Sequence, residues 1–147
     1  MAAGRDEDGC IYVLEDASAN GLQPAAWAAR AIAVYRRHNA DAIVAEVNQG
    51  GDMVGAVLRA VDASVPLKCV HATRGKYLRA EPVAALYAQG RVKHVGRPKT
   101  ELEDQMCDFG PDGLSAGGSP DRLDALVWAV TELTQRGWQG PRIRSVW

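Results

Sequence analysis

Hydrophobic and polar positions follow two periodicities along the chain, and each predicts one kind of element. Short runs rich in β-branched residues predict strands, and apolar residues three or four positions apart predict helices. Strands are predicted at residues 10–15, 42–47, 65–71 and 91–95, the second and third buried on both faces. Helices are predicted at residues 25–38, 52–61, about 82–89, 101–107 and 121–136. This alternation indicates an α/β domain with parallel strands and helices on both faces.

Turn and capping residues set the boundaries of these elements. The turn-prone residues 6–9 precede the first strand, which predicts a hairpin whose other arm is residues 1–4. Pro24 is expected to open the first helix, and Pro82 to lie in the first turn of the third. The remaining predictions are a turn at residues 48–51, a basic loop at residues 74–76, a loop at residues 110–118 and a Ser119-Pro120 cap on the last helix.

Length and charge narrow the class of protein. The 147 residues suit one domain, placed at residues 1–136, followed by a C-terminal tail at residues 137–147 without periodicity. The formal net charge of -1 gives no bulk attraction to nucleic acid or to an anionic membrane, so such a partner needs a local patch. Three scattered cysteines indicate neither a disulfide framework nor a zinc site, and the apolar stretches are too short to span a bilayer.

Three carboxylates are the candidates for chemistry. Glu46 ends an apolar strand, and ligands of α/β sheets bind at the carboxyl ends of the strands. Asp121 and Asp124 lie three positions apart on one face of the last helix, Asp124 among apolar neighbours. Plain structural roles remain open: Glu46 can be an exposed strand end, Asp121 a favourable first-turn acid, and Asp124 is balanced between a buried structural residue and a metal ligand.

If these acids converge, they form a set of hard oxygen ligands, which suits Mg²⁺ or Mn²⁺. Two such ions can stabilise the attacking and leaving oxygens of a phosphodiester displacement. Arg74, Lys76 and Arg79 follow a predicted strand and supply local positive charge, although runs of this kind are more often solvated faces.

Four blocks of sequence carry a family resemblance. They are VAEVNQGGDMV at residues 44–54, HATRGKYLRAEPVAALYAQGRVKHVG at 71–96, LEDQMCDF at 102–109 and SPDRLDALVWAVTEL at 119–133. In this order they resemble the C-terminal nuclease domain of the phage terminase large subunit. The resemblance implies an α/β, RNase H-like fold of the RuvC and terminase nuclease type, with a mixed sheet flanked by helices.

The resemblance also implies a function and a site. Such domains cut concatemeric viral DNA into genome lengths during packaging, and they use acidic residues that bind two divalent metals. Carried onto this sequence, the catalytic and metal-binding residues are Glu46 and Asp124, with Asp121 as the neighbouring ligand. Arg74, Lys76 and Arg79 would approach the DNA backbone, and the turn at residues 48–51 would lie beside the metals. The implied partners are double-stranded DNA, the terminase ATPase domain, the small subunit and the portal, in the cytoplasm of a bacterial host.

The sequence departs from the family pattern at its start. The family's first strand, which carries the leading catalytic Asp, and the preceding ATPase domain have no counterpart in residues 1–147. We therefore expect weak or absent cleavage by this chain. Two alternatives stay open: a non-catalytic remnant or DNA- or partner-binding module of a prophage or phage-derived cluster, and a general α/β domain in which Glu46 and Asp124 never approach each other.

Overall fold

The computed structural model describes residues 1–47 and 52–135, which form an α/β arrangement. The strands are β1 (Ala2–Arg5), β2 (Ile11–Glu15), β3 (Ile43–Glu46), β4 (Leu67–Val70) and β5 (Val92–His94). The helices are α1 (Pro24–Arg37), α2 (Asp52–Val61), α3 (Lys76–Ala88), α4 (Thr100–Asp108) and α5 (Asp121–Thr134). No helix in this part of the chain has the length and hydrophobicity needed to cross a membrane.

The described strands pair in two groups. A mixed three-stranded sheet has the order β1-β2-β5, with β1 antiparallel and β5 parallel to β2. The hairpin between β1 and β2 is the one that the sequence predicts. A second, parallel pair joins β3 to β4 in register from Ile43 opposite Leu67 to Glu46 opposite Val70.

Helix α5 packs across both strand groups and contacts β1, β2 and β3. Its apolar face joins Ile11 and Val13 of β2 in one core, which α3 and α4 complete. A second core lies between α1, α2 and the β3–β4 pair, where Ala28, Ile32 and Leu58 are buried. The acidic start of α5 is therefore held close to the end of β3.

The two strands predicted to be buried on both faces are more open than expected. Residues of β3 are half-buried, and Lys68 and Cys69 of β4 are exposed. The reason is that β4 has no strand beyond it among the described residues, so it forms an edge. An apolar run alone does not distinguish an edge strand from a central one.

One predicted helix start and one predicted cap are wrong, whereas the predicted start of α5 at Asp121 is confirmed. Helix α3 begins at Lys76, within the predicted basic loop, so Pro82 lies inside the helix and not in its first turn. Pro82 is exposed, and its ring and missing N–H are tolerated there at some cost to the helix. At α5, Ser119 does not cap the helix: its hydroxyl donates to Asp121, and Pro120 is the N-cap. The predicted turn at residues 48–51 and the boundary and tail from residue 136 onward lie outside the described residues.

Candidate metal centre

Glu46 is the last residue of β3 and points toward α5. The indole N–H of Trp128 donates a hydrogen bond of 2.9 Å to its Oε2. Its Oε1 lies 3.5 Å from Nη1 of Arg79, and the Glu46 side chain is 22% exposed. The side chain is therefore neither buried without partners nor simply exposed at the strand end.

Asp124 lies in the first turn of α5 and is 8% exposed. Its backbone N–H donates to the carbonyl of Pro120 at 2.8 Å, which fixes the residue at the start of the helix. Its Oδ1 is 3.1 Å from Nη2 of Arg79, and its Oδ2 is 3.5 Å from Nζ of Lys76. The expected burial of Asp124 is confirmed, and the residue faces the same cation as Glu46.

Arg79, in the first turns of α3, joins the two acids. Its side chain is only 11% exposed, with Nη1 directed to Glu46 and Nη2 to Asp124. The guanidinium carbon also lies 4.8 Å from the centre of the Trp128 ring, a cation–π arrangement. Because one guanidinium contacts both carboxylates, the two acids are close in space. The alternative in which Glu46 and Asp124 never approach each other is therefore wrong.

Asp121 lies at the rim of this cluster. Its carboxylate is 81% exposed and 3.7 Å from Nζ of Lys76. Lys76 also donates to the hydroxyl of Ser119 at 2.6 Å. Asp121 and Asp124 thus share Lys76, but Asp121 faces solvent whereas Asp124 faces Arg79.

The three cations expected at the DNA backbone occupy different positions. Arg74 is exposed, and the side chain of Lys76 is 36% exposed. Arg79 is turned inward and paired with Glu46 and Asp124, so contact with a phosphate would require it to leave these carboxylates. Of the three cations, Arg74 is thus the most open to solvent and Arg79 the least.

Burial shapes the electrostatics of the acid pair. It raises the pKa of the Asp124 carboxyl above its usual range, and the charge of Glu46 raises it further, whereas Arg79 and Lys76 oppose the shift. Oδ1 of Asp124 is buried and accepts no directed hydrogen bond from the described residues, although Arg79 lies within ion-pair distance. A cation that coordinated this oxygen would compensate its burial.

The donor chemistry of the pair fits one divalent ion. Carboxylate oxygens are the ligands that Mg²⁺ and Mn²⁺ prefer, and Asp124 has an oxygen with unused bonding capacity. The described residues contain no group of three His, Cys, Asp or Glu side chains placed to hold a metal. Glu46 and Asp124 could therefore contribute ligands to one ion, but the described residues do not by themselves complete its coordination or form a two-ion site.

Trp128 is a further residue of this cluster and was not among the candidates named from the sequence. It lies four positions after Asp124, hence on the same face of α5, and it contacts both Glu46 and Arg79. The spacing of Asp124 and Trp128 was the signal available in the sequence. Two histidines lie outside this cluster: His38 is hydrogen-bonded to Glu15, and His94 is hydrogen-bonded to Glu103 and Tyr87.

Comparisons with known proteins identify the family of the chain. A search of curated proteins gave no match. A family model described as a terminase RNaseH-like domain matches residues 1–133 of the 147-residue chain. Together with the α/β fold, this match defines an RNase H-like domain. The chain belongs to the terminase RNaseH-like domain family.

Proposed function

We propose that the chain is the nuclease part of a phage DNA-packaging terminase and that it acts by divalent-metal-dependent cleavage of concatemeric viral DNA. The observation that carries the proposal is the meeting of Glu46 and Asp124 at one buried guanidinium, in a chain of this family. Two carboxylates held close together repel each other, and a divalent ion bound to both would relieve this repulsion.

In this proposal Glu46 and Asp124 hold a divalent ion, and Asp121 contributes from the rim. A bound Mg²⁺ or Mn²⁺ would supply an activated water and neutralise charge on the phosphodiester. The chain's own residues position this chemistry. Trp128 orients Glu46 by its hydrogen bond, and Arg79 balances the acids when no metal is bound. Arg79 would be displaced toward the phosphate when the ion enters.

The substrate in this proposal is double-stranded DNA. The chain has almost no net charge, so attraction must come from the local cations Arg74, Lys76 and, once released, Arg79. Packaging requires an ATPase domain, a small subunit and a portal as further partners, and the place of action is the cytoplasm of the bacterial host.

The proposal is tested by titrating the protein with Mn²⁺ in a calorimeter. We expect one saturable site, lost in Glu46→Gln and in Asp124→Asn. Asp104→Asn, which removes an exposed acid of α4, is the matched control and should bind as the wild type does. Plasmid nicking in Mn²⁺ should be weak, because in this proposal the two acids hold a single ion, and the same two variants should remove it.

A second candidate is a module that binds DNA or a packaging partner without cutting it. The observation in its favour is that Arg79 already neutralises the acid pair. Retained DNA binding with no Mn²⁺ affinity would select this candidate and contradict the nuclease proposal. Mn²⁺ binding that persists in both Glu46→Gln and Asp124→Asn would place the metal elsewhere and contradict the assignment of these residues.

A further inference from the structure

The loop between β5 and α4, residues 95–99, carries two cations in contrasting surroundings. Arg97 is exposed and takes part in none of the ion pairs between described residues. Lys99 is only 7% exposed, and its Nζ donates to the carbonyl of Val95 at 2.7 Å and to that of Arg97 at 3.4 Å. The buried ammonium thus fixes the backbone of the loop, and the guanidinium of Arg97 projects from it into solvent.

This loop lies at the same edge of the fold as the acid pair. His94 ends β5 opposite Val13 of the parallel strand β2. Strand β2 leads directly to Asp16, whose carboxylate pairs with Arg122 in the first turn of α5. The same turn carries Asp124. The carboxyl end of β5 and the metal centre therefore lie at the same end of α5.

Helices α3 and α4 reach the start of α5 from different sides. Glu101, in the first turn of α4, pairs with Arg122 at 2.5 Å. Successive residues of an α-helix are rotated by about 100°, so Arg122 points to a different side of α5 from Asp121 and Asp124. Those two acids contact Lys76 at the start of α3. The acidic first turn of α5 thus lies between the starts of α3 and α4.

The length of α4 separates the loop at residues 95–99 from the start of α3. The nine residues of α4 span about 13 Å. Phe109, which follows the last residue of α4, contacts Tyr77 at the start of α3, with the two ring centres 6.2 Å apart. The other end of α4 joins the loop that carries Arg97. Arg97 and Arg74, which shortly precedes α3, therefore lie near opposite ends of α4.

We propose that Arg97 binds a phosphate of the DNA backbone and that Arg97 and Arg74 are the two ends of one duplex-binding surface across the start of α5. An exposed guanidinium without a carboxylate partner binds a phosphate without first breaking an ion pair. Phosphates of one strand follow each other about every 3.4 Å along the duplex, so two cations this far apart contact phosphates several nucleotides apart. This inference rests on the proposed function, because it takes DNA as the partner.

Arg91 is the matched comparison for Arg97. It is also exposed, and it directly precedes β5, whereas Arg97 follows that strand. The three residues of β5 span about 10 Å, and Arg91 lies at their amino end, away from the acid pair. One short strand thus has an exposed arginine on each side, and only Arg97 lies at the carboxyl edge. The topology therefore predicts unequal roles for two arginines that the sequence alone does not distinguish.

The test measures binding of a fluorescein-labelled DNA duplex by fluorescence anisotropy at several salt concentrations, with EDTA present. The removal of divalent ions keeps cleavage and metal-mediated contacts out of the measurement. Arg97→Ala should weaken binding and lower the magnitude of the slope of log K against log salt by about 1, the value expected for one lost phosphate contact. Arg91→Ala should change neither the affinity nor the slope.

Two further variants separate a phosphate contact from a structural role of the side chain. Arg97→Lys keeps the positive charge and should keep the salt slope of the wild type. The double variant Arg74→Ala/Arg97→Ala should lower the magnitude of the slope by about 2, because contacts at the two ends of one surface are lost independently. Circular dichroism checks that each variant is folded.

Two results would overturn this inference and leave the proposed nuclease function in place. One is an equal salt slope for Arg97→Ala and Arg91→Ala in a protein whose wild type binds the duplex. The other is a lower slope in Arg97→Ala that Arg97→Lys does not restore, because Arg97 would then act through the structure and not through its charge. A wild type that does not bind the duplex would contradict the DNA substrate of the proposed function, and this inference with it.

Discussion

Arg79 is the residue that neutralises the charge of the acid pair, Glu46 and Asp124. Its guanidinium lies between Glu46 and Asp124 and over the ring of Trp128, with most of its surface removed from water. A buried cation with two carboxylate partners stabilises the metal-free protein, yet it occupies the space that a divalent ion would use. The same residue should therefore oppose metal binding and support folding.

Arg79→Met separates these two effects. Without metal, we expect a loss of about 3 kcal/mol in the free energy of unfolding, because two buried carboxylates lose their shared cation. Urea denaturation measures this loss. In saturating Mn²⁺ the variant should recover more stability than the wild type does, since its acids are free to bind the ion.

Arg74→Met is the control for this prediction. Arg74 follows strand β4, as Arg79 does, but it is exposed. It should change neither the stability nor its response to Mn²⁺ by more than about 0.5 kcal/mol. If Mn²⁺ stabilised Arg79→Met no more than the wild type, the acids and Arg79 would not compete with metal for the same space.

Asp62 supplies a pH-dependent link between α1 and α2. Hydrogen bonds from the hydroxyl and backbone N–H of Ser64, together with Arg36, lower the pKa of Asp62 to about 2. A carboxyl whose pKa is lower in the folded state adds stability above its unfolded pKa of about 4, and this stability is lost as the pH falls toward 2. Asp62→Asn should therefore melt below the wild type at pH 6, and the difference should shrink as the pH is lowered from 4 to 3. A difference that stayed constant over this range would contradict the assigned role.

At the scale of elements, the sequence predicts where most helices and strands lie, but it does not predict how exposed each of them is. Periodicity located α1, α2, α4 and α5 within a few residues, because their apolar faces pack on a core. The start of α3 was missed because proline usually marks a first turn, and here packing against α5 extends the helix six residues upstream of Pro82. The exposure of β4 depends on which strands are neighbours, which a local pattern does not encode.

Helix α3 therefore contains a strained position. Pro82 cannot donate to the carbonyl of Leu78 and crowds the preceding turn, so Pro82→Ala should stabilise the protein by about 1–3 kcal/mol. Pro24→Ala is the matched control: Pro24 lies at the first turn of α1, where its ring favours the helix, and its replacement should give no gain. Thermal denaturation compares the two variants. An equal gain from both would show that the interior position of Pro82 carries no particular strain.

At the scale of the whole molecule, the candidate acids could be named from the sequence, whereas the residues that surround them could not. Glu46 and Asp124 stood out because each is a carboxylate in an apolar element. That Arg79 joins them depends on how α3 packs on α5, and that Trp128 holds Glu46 depends on how α5 crosses β3. Such tertiary relations have no local sequence signal.

The whole molecule also has almost no net charge, so DNA binding should rest on a few cations. Arg74→Ala should weaken binding to a DNA duplex and lower the magnitude of the slope of log K against log salt by about 1, the value expected for one lost phosphate contact. Arg36→Ala is the control. Arg36 is exposed, as Arg74 is, but it pairs with Asp62, which follows the last residue of α2. Fluorescence anisotropy at several salt concentrations measures both. Equal salt slopes for the two variants would remove Arg74 from the interface.

The central claim is that Glu46 and Asp124 hold one divalent ion. Anomalous diffraction from crystals grown with Mn²⁺ tests it most directly, since the metal itself is located. We expect an anomalous peak between the two carboxylates, with metal–oxygen distances of about 2 Å and Arg79 displaced from its present position. Well-ordered crystals with an empty acid pair, and with Arg79 still bound to both carboxylates, would contradict it.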